Sequence, residues 1–71
     1  MDKIPKNLLK GDRVDISLFT IKLKSGQGLR GPGEYVIQKD TAGHGGRAWK
    51  LKDDKGNRIA SLDASGKVLS D

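Results

Sequence analysis

The sequence predicts a mainly β fold: a small, highly twisted antiparallel sheet of four to five strands, with at most a short N-terminal helical turn. Three observations lead there. Apolar and polar residues alternate over short runs, as at Tyr35 and Ile37 or Trp49 and Leu51. Glycine-bearing turn signals separate those runs. The β-branched residues between positions 14 and 23 disfavour helix. With 71 residues the chain forms one domain, because two cores cannot form at this length.

Residues 1–12 read as a lead-in to a sheet spanning 13–71. Pro5 can open one helical turn over residues 7–10, with Gly11 as its stop. Residues 13–24 carry the first β signal. Val14, Ile16 and Leu18 alternate in one phase and Phe19, Ile21 and Leu23 in the other. The slip between Leu18 and Phe19 calls for a β-bulge or a sharp bend between two short strands. Residues 25–33, with four glycines and a proline, read as a loop. Residues 34–39 form a short strand, and 40–46 a second glycine-rich loop. Residues 47–52 return as a strand with Trp49 and Leu51 on one side. Residues 53–57 and 63–67 are tight turns flanking a strand at 58–63, and Val68-Leu69 closes a three-strand meander.

Composition narrows the chemistry. Fourteen Lys and Arg face nine Asp and Glu, a net charge of +5, which favours a polyanion such as RNA or an acidic protein. The cations at 22, 24, 30, 39, 47, 50, 52, 55 and 58 form either one phosphate-tracking face or a solvated shell. One histidine and no cysteine give no metal-ligand cluster, and no cofactor is expected. No phosphate-cradling G-x-x-x-x-G-K-[ST] motif is present. No apolar run approaches the ~20 residues of a membrane span, and residues 1–5 lack the apolar stretch of a signal peptide.

The richest stretch is 39–50, which holds the single histidine and the single tryptophan. His44 lies among glycines, with Asp40 before it and Arg47 and Lys50 after it. An imidazole titrating near pH ~6.5 can exchange protons at neutral pH. RNA cleavage needs a base to take the 2′-hydroxyl proton and an acid to protonate the departing 5′-oxygen. Here His44, Asp40 or Glu34 supply the proton transfers, and Arg47 and Lys50 neutralise the phosphorane. The competing reading makes His44 surface decoration and Glu34 a solvated carboxylate. Trp49 is either core or a stacking platform for an unpaired base, and Tyr35 has the same two readings. Lys39, Lys52 and Arg58 are the expected phosphate contacts.

Gly43-His44-Gly45, Trp49-Lys50-Leu51, the run 54–63 and Gly66-Lys67-Val68-Leu69 together resemble the C-terminal ribonuclease domain of ribosome-inactivating colicins. They are also similar to the tips of contact-dependent growth-inhibition and other polymorphic bacterial toxins. The resemblance covers roughly residues 34–69. It implies metal-independent cleavage of small-subunit ribosomal RNA to a 2′,3′-cyclic phosphate. It further implies a cognate acidic immunity protein, and delivery as a secreted or cell-surface effector tip acting in the target-cell cytoplasm. His44 matches the family's catalytic histidine, Asp40 the aspartate before it, and Lys50 the lysine of the growth-inhibition branch. Arg58 sits where the family places basic residues in the last hairpin. The colicin D-x-x-H spacing is one residue longer here. Ala48 stands where that pattern has a glutamate base, which leaves Asp40 or Glu34 for the role. A non-catalytic RNA-binding β-domain and a structural module meeting a protein partner are the rival expectations.

Overall fold

The computed structural model describes residues 3–24, 26–41 and 44–70, without the side chain of His44. Eight short strands are described: β1 (Leu9–Lys10), β2 (Arg13–Val14), β3 (Ile21–Lys22), β4 (Gly28–Arg30), β5 (Val36–Lys39), β6 (Trp49–Lys52), β7 (Arg58–Leu62) and β8 (Val68–Ser70). β1 and β2 pair as a two-stranded hairpin, and β3 to β8 form a six-stranded antiparallel sheet in chain order. The mainly β, antiparallel class expected from the sequence is the observed one, with more strands than the four to five expected.

The N-terminal turn is a 3-10 turn at Lys6–Leu8, after Pro5. The chain then reverses through Gly11-Asp12. Gly11 takes φ 68° at the first central position, as a two-residue hairpin turn with glycine there requires. The expected strand over 13–24 is interrupted. A 3-10 turn at Ile16–Leu18, capped by the Asp15 carboxylate on the Ser17 amide, separates β2 from β3. This turn accounts for the phase slip between Leu18 and Phe19, and it is the bend rather than the bulge.

The expected loop over 25–33 contains β4. Two of its four glycines, Gly28 and Gly31, are steric requirements of packing in and beside this strand. A Cβ on Gly28 would lie 2.7 Å from the Ile37 carbonyl oxygen, and one on Gly31 would lie 2.7 Å from the Phe19 ring. Glycine richness here marks close backbone approach rather than irregular chain.

Register sorts the side chains of the large sheet onto two faces. Leu29, Ile37, Leu51 and Ala60 align across β4 to β7, and Lys39, Trp49, Leu62 and Val68 align beside them. Ile4, Leu8, Val14 and Phe19 from the N-terminal segment join Ile37, Leu51, Ala60 and Leu62 in one buried cluster. The opposite face carries the row Gly28, Gln38, Lys50, Ser61 and Ser70, and beside it Arg30, Val36, Lys52 and Arg58. A register shift between Leu51 and Lys52 brings Arg58 opposite Lys52.

Two turns share one design. Asp53 accepts from the Lys55 and Asn57 amides at 2.9 and 2.8 Å, and Asp63 from the Ser65 and Lys67 amides at 2.8 and 2.9 Å. Gly56 and Gly66 follow at φ 85° and 93°. The carbonyl of Gly66 accepts from the Val14 amide at 2.8 Å, and Arg13 bridges to Lys67, so the N-terminal hairpin docks on the last turn. Among the described residues no helix is long and apolar enough to cross a membrane.

Two outcomes follow. A Cβ on Gly66 would lie 2.1 Å from the Val14 carbonyl oxygen, and φ is already left-handed. Gly66→Ala therefore lowers stability by about 2 kcal/mol or more, a fall of roughly 10 °C in Tm by thermal circular dichroism. Gly45→Ala, with nothing within 4 Å, carries only the backbone penalty and costs less. Second, the carboxyls of Asp53, Asp63 and Asp15 are held below their ordinary 3.8. The leading causes are hydrogen bonds from the Asn57 amide, the Ser65 hydroxyl and the Ser17 hydroxyl respectively. Their contribution is present above pH 3.8 and is lost as pH falls through the lowered values. The double variant Asp53→Asn, Asp63→Asn keeps an acceptor but cannot titrate, so its Tm declines less steeply between about pH 4 and pH 2.

Candidate active site

The loop holding His44 is built on a closed stalk. The Asp40 amide donates to the Ala48 carbonyl at 2.9 Å, and the Ala48 amide to the Leu62 carbonyl at 2.8 Å. The antiparallel ladder of β5 and β6 therefore extends to residues 40 and 48. Residues 41–47 link the two strands, and His44 is the midpoint of that stretch. The backbone at His44–Gly46 forms a 3-10 turn with Gly45 at φ 65° and Gly46 at φ 78°. The ring of His44, the centre of the sequence-based expectation, lies outside the described residues.

Asp40 and Arg58 meet at the foot of this loop. An Arg58 guanidinium nitrogen lies 3.8 Å from Asp40 Oδ2 and also donates to Ser61 Oγ. The Asp40 side chain is 5% exposed and that of Arg58 43%. One end of Arg58 thus anchors a nearly buried carboxylate while the rest remains at the surface. Ser61, 2% exposed, is satisfied by the same guanidinium. Around Arg58 lies a pocket of about 270 Å³ lined by Lys3, Arg47, Ile59, Ser61 and Ser70. Three cations and two hydroxyls make it suited to an anionic oxygen, such as that of a phosphate. Lys50 stands on the same sheet face, between Gln38 and Ser61 in register.

Asp40, Arg47, Arg58 and Lys50 are therefore brought to the same side of the molecule. Glu34 is not. It precedes β5 while Asp40 follows it, so the four residues of that strand, roughly 13 Å of extended chain, lie between them. Its side chain is 68% exposed and pairs with Arg30 at 3.4 Å, in a separate concavity shared with Lys52. Glu34 also takes φ 67°, a left-handed value rare outside glycine, in the turn that follows Gly33. Tyr35 packs against the core at that same far end. Trp49 and Lys39 face away from the pocket, on the core side of the sheet at its margin, where Trp49 is half-buried.

Sequence reasoning did not single out Ser61, Ser70 or Lys3. The polar phase of Ser61 between Ala60 and Leu62 was the available signal for the first. Lys3 carried none, because only tertiary docking brings it near β7. Among the described residues no group of three or more His, Cys, Asp or Glu side chains is positioned to hold a metal ion. Comparison with family models, with curated proteins and with solved structures found no match for this chain.

The Asp40–Arg58 contact is measurable by a double-mutant cycle. Asp40→Asn and Arg58→Met each destabilise the fold in urea titrations, and together they do so by less than their sum. A coupling of about 0.5–1 kcal/mol is expected. Additive losses would mean that the two groups do not hold each other.

Proposed function

We propose that this domain is a metal-independent endoribonuclease of the bacterial toxin type. It cleaves RNA, with small-subunit ribosomal RNA the target that the resemblance implies. The observation that carries the reading is the loop foot. The stretch 41–47, with the single histidine at its middle, leaves the sheet at a carboxylate, Asp40, with Arg47 and Arg58 around one pocket and Lys50 on the same sheet face.

In this reading the 2′-hydroxyl oxygen attacks the adjacent phosphorus and its proton passes to a base. The P–O5′ bond breaks, and His44 as imidazolium protonates the departing oxygen, leaving a 2′,3′-cyclic phosphate. Arg47, Arg58 and Lys50 stabilise the added negative charge of the phosphorane. Asp40, fixed by Arg58, is the carboxylate next to the loop and serves as base or as the group that orients the ring. Glu34 is too far along β5 for either task. The net charge of +5 suits both an RNA strand and the acidic immunity protein that such toxins carry. Delivery as the tip of a secreted or surface effector, with action in the target cytoplasm, belongs to the same proposal.

The test is ribosomal RNA incubated with wild type and with His44→Ala. The variant loses about 10²- to 10⁴-fold in cleavage while keeping its Tm. Wild-type fragments carry a cyclic phosphate and form equally well with excess EDTA. Undiminished cleavage by folded His44→Ala removes the proposal. Bound but intact RNA with both proteins supports the non-catalytic RNA-binding reading, which the half-buried Trp49 favours.

A further inference from the structure

Beside Trp49 lies a third and larger concavity, of about 530 Å³. Trp49 and Leu29 supply its apolar wall, Thr41 a hydroxyl, and Lys22 and Lys39 its charge. We infer that this groove is a subsite for one unpaired base of an RNA strand. The inference rests on the ribonuclease reading and deepens it by naming the form of RNA that is recognised.

The argument begins with register. Lys22, Leu29, Lys39 and Trp49 occupy the core side of the sheet, beyond the point where the N-terminal segment covers it. Trp49 is only half-buried and Lys22 and Lys39 are exposed, so an aromatic surface lies open between two cations. That combination suits a nucleotide. A base stacks on the indole, while the ammonium groups meet the phosphates on either side. Thr41 offers a hydroxyl to a base edge.

Thr41 lines the groove, and Arg47 lines the pocket around Arg58. Bases inside an A-form duplex are stacked on one another and present no free face, so the groove selects loops, bulges and single strands.

The experiment uses the full chain with His44→Ala, so that RNA stays intact, and follows fluorescence from its single tryptophan. The probes are a short unstructured RNA and a fully paired hairpin of equal length. The unstructured RNA quenches Trp49 and binds at least about tenfold more tightly than the hairpin. The double variant Lys22→Ala, Lys39→Ala weakens that binding by about tenfold or more. It also flattens the slope of log K against log salt by about 1.4, the value for two phosphate contacts on a single strand. These lysines are exposed and lie outside the core, so the variant keeps its fold. With labelled RNA, Trp49→Phe retains most affinity and Trp49→Leu loses about tenfold. Equal quenching by paired and unpaired RNA, no quenching by either, or an unchanged slope in the lysine variant overturns the subsite. Cleavage is read separately. A failed groove leaves His44-dependent scission intact, whereas selective quenching without scission by wild type removes the ribonuclease reading alone.

Discussion

One backbone contact holds this small fold closed. The N-terminal segment supplies half of the buried apolar cluster, through Ile4, Leu8, Val14 and Phe19. It reaches the sheet where the Val14 amide donates to the Gly66 carbonyl. At that crossing the chains are so close that only a residue without a Cβ fits, and the same residue must adopt φ 93° to end the last hairpin. A single glycine thus satisfies a turn and a docking contact at once. A chain with three aromatic residues and no cysteine has little else with which to secure its cover.

Given that closure, the six-stranded sheet keeps apolar burial and polar chemistry on separate faces. The row of Leu29, Ile37, Leu51 and Ala60 faces the N-terminal cover, and the row of Gln38, Lys50, Ser61 and Ser70 faces outward. Arg58 joins the outer face through the shift in register beside Lys52, and from there it spans Ser61 and Asp40. The candidate site is therefore assembled from strand ends and the foot of one loop. Its electrostatics depend on the ladder rather than on loop conformation.

Much of the architecture was legible in the residues. The D-x-x-G turns at 53 and 63 set both hairpins, and alternation placed Trp49 with Leu51. The break after Leu18 was visible as a change of phase. What escaped was long-range. Gly28 and Gly31 read as loop because sequence alone does not show the Ile37 carbonyl and the Phe19 ring pressing against them. Glu34 was grouped with His44 by proximity in number, but an intervening strand carries the chain away at about 3.3 Å per residue. Arg58 was expected as a phosphate contact, but its contact with Asp40 required the irregularity in β7 pairing to be known.

The stalk formed by Asp40 and Ala48 has an evolutionary corollary. The ladder of β5 and β6 is closed by the bond from the Asp40 amide to the Ala48 carbonyl. The seven positions between can be exchanged, lengthened or shortened at little thermodynamic cost to the scaffold. Descendants of this domain can thus inherit the framework unchanged while the length of the link between these two strands varies.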